Sequence, residues 1–200
     1  MTTTMVSTDG KSRCSWCGTV AEFIPYHDDE WGFPVDDDIG LFEKICLESF
    51  QSGLSWRTIL AKRENFRAAF KQFDFNKVAR FKDADVERLL QDEGIVRHRG
   101  KITAAINNAQ RAKEMVKSEG SLAAFFWRYE PTASEPPQTV SVSPESAALA
   151  KELKKRGWKF VGPTTAYAFI QAMGLINDHS EGCITRKKVA AARKKFIRPS

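Results

Sequence analysis

Residues 41–56 read LFEKICLESFQSGLSW. At about 100° per residue, Leu41, Phe42, Ile45, Cys46, Leu47, Phe50 and Leu54 spread over more than half of a helix's girth. A helix apolar over so much of its circumference is a buried one, so the stretch predicts one central helix. Glu48 falls beside Leu41 on that wheel, with Ser55 and Trp56 close by. A desolvated carboxylate is costly unless something compensates it. Glu48 is then either a functional group held in an apolar setting or half of an exposed i,i+4 pair with Lys44. Periodicity alone favours the exposed pair.

The chain has 200 residues, 42% of them hydrophobic, enough for one sizeable core rather than several domains. No apolar run reaches membrane-spanning length, and MTTTMVSTDGKSR lacks the apolar centre of a signal peptide. A soluble intracellular protein is expected. In that setting the four cysteines Cys14, Cys17, Cys46 and Cys183 point to a metal or to plain burial rather than to disulfides. The net charge is +6, but residues 184–200 carry seven basic side chains, and the rest of the chain sums to −1. Charge is segregated along that remainder. Residues 22–48 hold nine acids against one lysine, whereas 97–117 and 151–159 are strongly basic. Such lopsidedness suits a polyanionic partner.

Residues 1–12 read as a disordered leader. Cys14, Trp16 and Cys17 follow, then the aromatic- and acid-rich 26–32. Asp36–Asp38 supply acids for the N-terminus of the central helix. Further helices are expected over 62–73, 83–93, 101–117 and 145–156, with aromatic core at 121–129. Residues 130–144, EPTASEPPQTVSVSP, read as a flexible connection ending in the cap Ser143-Pro144. With no strand-period alternation, the expected class is all-α: one domain over 13–184, then a solvated basic tail over 185–200.

Two basic turns are candidates for phosphate. Arg97, Arg99 and Lys101 lie between two helices, where N-terminal amides add donors. Residues 158–165 join helix 145–156 to helix 166–173, a helix-hairpin-helix pattern with Lys159, Gly162 and Thr164 at its turn. A metal site is also on offer. Cys14, His27, His179 and Cys183 would close a Cys2His2 tetrahedron suited to structural Zn²⁺, and Cys14, Cys17, His179 and Cys183 would close another.

Segments 26–32 (YHDDEWG), 47–56 (LESFQSGLSW), 94–102 (GIVRHRGKI) and 159–179 (KFVGPTTAYAFIQAMGLINDH), in this order, resemble the bacterial DNA-3-methyladenine glycosylase I family, a branch of the helix-hairpin-helix glycosylases. Cys14 and Trp16 before them and Cys183 after them complete the pattern, over residues 14–183. The resemblance implies a monomeric, zinc-containing bacterial protein of the cytoplasm and nucleoid. It would flip an alkylated base from double-stranded DNA and hydrolyse its N-glycosidic bond, with 3-methyladenine as product. By matching position, Glu48 becomes the carboxylate that hydrogen-bonds the base. Tyr26 assists at the base edge, Trp56 stacks on its face, and Trp16 and Trp31 line the pocket. Cys14, His27, His179 and Cys183 become the zinc ligands, leaving Cys17 out.

The chemistry suits these side chains. Methylation at N3 already makes adenine a good leaving group, so recognition matters more than acid catalysis. An anionic Glu48 favours the positively polarised ring, and indole stacking adds about 1–3 kcal/mol. No lysine follows Gly162-Pro163, where lyase-type relatives carry an amine nucleophile, and this predicts a monofunctional enzyme. Other relatives place a general-base Asp after the hairpin helix; Asp178 is the only acid nearby, and beside His179 it fits equally well as a partner of that metal ligand, so it is not counted among the catalytic residues. Phe50 departs from the family pattern and is expected to reshape the pocket. The rivals are a non-catalytic zinc-containing DNA- or lesion-binding protein and a glycosylase for another damaged base.

Overall fold

The computed structural model describes residues 4–18, 20–132 and 136–200. A small antiparallel hairpin, β1 (Thr4–Val6) and β2 (Ser12–Cys14), leads into helices α1 (Phe23–Asp29) and α2 (Asp38–Gln51). There follow α3 (Trp56–Ala61), α4 (Arg63–Ala69), α5 (Phe75–Val78), α6 (Asp83–Gln91), α7 (Arg99–Glu119) and α8 (Leu122–Phe126). The helical hairpin α9 (Pro144–Lys155) and α10 (Pro163–Ala172) precedes the last helix, α11 (Ile184–Lys195).

Helix α2 runs through the core, burying Leu41, Phe42, Ile45, Leu47 and Phe50. The Asp37 carboxylate accepts from the Gly40 amide (2.6 Å) to start it, as the acidic run predicts. The helix does not continue to Trp56. It stops at Gln51, Gly53 turns the chain at φ +76°, and Ser55 accepts from Thr58 N (3.2 Å) to start α3. The expectation of one apolar helix over 41–56 is thus corrected, and Leu54, placed on its buried face, is exposed. The cause is local: Ser52-Gly53 supplies a turn and Ser55 a cap, which together outweigh the apolar period. The break puts Trp56 at the first position of α3, facing back toward α1.

Lys101 explains how the broken end is satisfied. It is buried, and its Nζ donates to the carbonyls of Phe50 (2.8 Å) and Ser52 (2.5 Å). This cation caps the C-terminal end of α2, where the dipole favours it. Lys101 is therefore not a free phosphate ligand.

The N-terminal hairpin corrects the disordered leader for residues 4–12; residues 1–3 lie outside the described residues. Arg13 on β2 holds it in place. Its buried guanidinium donates to Asp28 on α1 (2.7 and 2.9 Å) and to Asp9 (2.8 and 2.9 Å). The two strands are too short for alternation to register. Elsewhere the class is helical, as expected.

The basic tail is not a solvated extension. Helix α11 buries Thr185 and Val189, and Phe196 beyond it lies 4.4 Å from the Trp127 ring, centroid to centroid. Arg193 donates to Glu130 (2.6 Å). Its basic count hid one apolar stripe. Among the described residues, no helix is long and apolar enough to cross a membrane.

Candidate functional site

A cavity of about 370 Å³ opens between α1, α2, α3 and α10. Trp16, Tyr26, Trp31, Glu48 and Trp56 all line it. The rings form a continuous aromatic wall: Trp16 meets Trp31 edge-on at 5.0 Å, and Tyr26 tilts against Trp56 at 5.3 Å. The Trp56 Nε1 is buried with no hydrogen-bond partner.

Glu48 sits in this wall at 7% exposure. Burial pushes its carboxyl up to about 7, and the nearby Lys44 charge pulls the other way. No ion pair joins the two side chains among the described residues, since Lys44 turns elsewhere. Its Nζ donates to the Tyr26 Oη (2.9 Å) and lies over the Tyr26 and Trp56 rings at 4.4 and 4.6 Å. The exposed i,i+4 pair is therefore absent. Burial pushes the Lys44 ammonium down to about 8, and burial together with the Glu48 charge raises the Tyr26 hydroxyl well above its ordinary value.

Sequence reasoning missed several lining residues. Gln138, Val140 and Ser141 reach the cavity from the proline-rich 130–144 segment, read as a flexible connection, of which 133–135 lie outside the described residues. Gln171 and Tyr167 come from α10. Asp178 ties these pieces together, accepting from Gln138 N (2.8 Å) and Gln171 Nε2 (2.5 Å). It does not orient His179; Asn177 Oδ1 lies 3.1 Å from the His179 Nδ1 instead. Asp178 is a buttress of the pocket wall, and of the two readings left open for it the one as partner of the metal ligand is corrected. Phe50 does not reshape the pocket either. It points into the core against Phe66 (4.7 Å) and Phe70 (5.7 Å).

Behind the aromatic wall lies a buried cluster. Ligand atoms of Cys14, His27 and Cys183 lie within 4.8 Å of one another, Cys183 Sγ being 3.5 Å from His27 Nε2. His27 Nδ1 is held 2.7 Å from the Asp28 carboxylate, which leaves Nε2 facing the sulfurs. A hydrogen bond from Cys14 holds the Cys183 thiol low, toward about 3, with His27 adding to it. The His179 ring lies 5.0 Å from that of His27, centroid to centroid, and its Nε2 is buried without a partner. Burial holds His179 neutral, down to about 4. Gly32, at φ +84°, lets the chain pass this imidazole; a Cβ there would sit 2.9 Å from His179 Cε1. Cys17 is buried outside the cluster, and desolvation pushes its thiol up to about 11.

Of the two basic turns, the one between α9 and α10 reaches the cavity. Thr164 lines it, and Gly162 and Lys159 are exposed at the α9–α10 turn. Asn108 pins that turn, accepting from Lys159 N (2.8 Å) and donating to Lys159 O (2.9 Å). His98 packs edge-on against Phe160 at 6.3 Å, so the turn around 94–100 flanks it. Arg97 and Arg99 are exposed there, engaged with Glu93 (3.3 Å) and Glu87 (2.8 Å).

The sequence profile of the methyladenine glycosylase family matches residues 16–187. The chain belongs to this family. It is 51% identical over 180 residues to DNA-3-methyladenine glycosylase 1 of Escherichia coli K12, covering 86% of this chain and 95% of that one. DNA-3-methyladenine glycosylase of Haemophilus influenzae is 45% identical over 178 residues, covering 86% and 96%. The fold is also that of a solved 3-methyladenine DNA glycosylase I variant in complex with 3-methyladenine. That structure has a TM-score of 0.82 and 34% identity, and the match covers 87% of this chain and 97% of that one. The family's match spans both the aromatic cavity and, from His27 to Cys183, most of the cysteine–histidine cluster.

Proposed function

We propose that this methyladenine glycosylase family member is a DNA N-glycosylase that excises 3-methyladenine from alkylated double-stranded DNA. The observation that carries this reading is a buried carboxylate, Glu48, set among indoles in a cavity sized for one purine. A base whose N3 is methylated is electron-poor. Ionised Glu48 attracts that ring and accepts from its exocyclic amine, and Trp56 stacks on its face. Neutral adenine gains less from both groups. Water then forms a bond to the anomeric carbon of the extruded nucleotide. The glycosidic carbon–nitrogen bond breaks with its electron pair leaving on the base, and the water proton passes to solvent.

The reaction is monofunctional in this reading, because Thr164-Thr165-Ala166-Tyr167 offers no amine after the hairpin. The exposed α9–α10 turn acts as a helix-hairpin-helix phosphate clamp, with Gly162, Lys159 and Thr164 on one backbone segment and Arg97 and Arg99 on the flank. These contacts would be sequence-independent, as repair of scattered lesions requires.

Cys14, His27, Cys183 and His179 would hold structural Zn²⁺. The fit is supported by the buried Cys14–His27–Cys183 cluster, whose ligand atoms lie within 4.8 Å of one another, and by the orphaned Nε2 of His179, whose ring lies 5.0 Å from that of His27. Such an ion would join β2 and α1 to the start of α11, and with four protein ligands it would take no part in the chemistry.

The test is chromatography of bases freed from methylated duplex DNA. Wild type is expected to release 3-methyladenine and leave an abasic strand uncut. Tight binding to methylated DNA with no base released would favour a lesion-binding protein, and release of a different base would redirect the specificity.

A further inference from the structure

Lys44 has a placement that base excision does not by itself require. It is buried on α2, one turn before Glu48, yet it does not line the base cavity. It lines a second cavity of about 270 Å³ on the other side of Tyr26, and Tyr26 belongs to both walls. The carboxylates around that second cavity are largely engaged: Glu30 with Arg63 (2.5 Å) and Glu43 with Arg67 (2.7 Å). Asp29 also borders it, and α10 contributes the uncharged Ala172 and Met173. Lys44 Nζ instead reaches the Tyr26 Oη at 2.9 Å, its one hydrogen bond among the described residues.

An ammonium has three donors and no acceptor, whereas a phenol has one proton and acceptor lone pairs. The 2.9 Å contact is therefore donated by Lys44, and it occupies the back of the Tyr26 oxygen. We infer that Lys44 is a positioning residue for base recognition: it turns the Tyr26 proton into the cavity, as a donor to a ring nitrogen of the flipped purine. This rests on the base-excision reading of the cavity. Glu48 then accepts from the exocyclic amine while Tyr26 donates beside it. The paired edge discriminates purines that offer a donor next to an acceptor from those that do not. The arrangement reverses when Lys44 loses its proton. A neutral amine accepts readily from a phenol, so the Tyr26 proton swings back to Lys44 and the cavity loses its donor. The other charged groups facing Lys44 are Glu48 and Glu43 on α2, Asp29 at the end of α1 and Glu30 just beyond it, and Arg63 and Arg67 on α4.

The test is titration of free 3-methyladenine into the full chain, followed by tryptophan fluorescence from about pH 6 to about pH 9.5, with wild type, Lys44→Met and Lys44→Arg. The ligand's own ionisation is common to all three and cancels in the ratios. Arginine donates but cannot accept, and the second cavity gives its longer side chain room. Lys44→Met should weaken binding about tenfold near neutrality, roughly one hydrogen bond. That deficit should shrink toward nothing at the alkaline end, where wild type has lost its donor as well. Lys44→Arg should bind like wild type near neutrality and stay tight where wild type weakens. A deficit in Lys44→Met that is constant across pH, or an alkaline fall shared by Lys44→Arg, would overturn the inference. Failure of wild type itself to bind 3-methyladenine would instead overturn the excision reading.

Discussion

Glu48→Gln separates the cost of the carboxylate from its use. Burial raises the Glu48 carboxyl from 4.5 to about 7, against the pull of Lys44. An acid raised in the folded state contributes stability that is complete below its unfolded pKa and is lost as pH rises through its folded pKa. The window thus runs from about 4.5 to about 7. At about 1.4 kcal/mol per pKa unit, the displacement amounts to about 3 kcal/mol once Glu48 is ionised. Glutamine keeps the shape without the charge, but it also deprives the buried Lys44 of the opposite charge that acts on it most strongly. That returns part of the gain, leaving a net stabilisation of about 1–2 kcal/mol. The assay is urea unfolding of both proteins at about pH 4.5, 6 and 7.5, comparing midpoints at constant slope. The two should coincide at the acid end, with the variant pulling ahead as pH rises. A difference independent of pH, or a variant less stable near pH 7.5, would refute the claim that the fold holds a desolvated carboxylate for the base.

Arg13→Met should cost about 3–5 kcal/mol in thermal or urea unfolding, because it leaves Asp28 without its buried cation. Elemental analysis should find about one zinc per chain. That metal should be lost from Cys14→Ser and His179→Ala and retained by Cys17→Ser, whose sulfur stands outside the cluster. Phe196→Ala should lower stability by about 1–2 kcal/mol, since its ring packs on Trp127 at the end of α11. An unchanged melting temperature would return the tail to the solvated role its charge suggests.

The residues of the cavity stood out in the sequence, Glu48 in an apolar run and Trp16, Tyr26 and Trp31 crowded before the first long helix, but pattern alone read them as an exposed pair and as core, and only the family resemblance placed them together in a pocket. The break after Gln51 was written there too, as Ser52-Gly53 followed by a serine cap, but an apolar period masked it. Lys44 and Lys101 were misread for one reason. Sequence counts a lysine as solvent-facing, while the fold gives one a phenol and the other two carbonyls. Gln138 could not be found by pattern. It reaches the cavity because Asp178 and Ser180, distant in sequence, fix its backbone and side chain. The hairpin β1–β2 escaped because its anchor, Arg13, looks like one more basic residue in a polar leader.

The most direct measurement of the central claim compares the affinities of free 3-methyladenine and adenine for wild type and Glu48→Gln near neutral pH. Wild type should prefer the methylated base by at least about tenfold, and the variant, with the same aromatic wall, should lose most of that preference. An undiminished preference in Glu48→Gln would contradict the account, because selectivity would then reside in the rings and not in the buried charge.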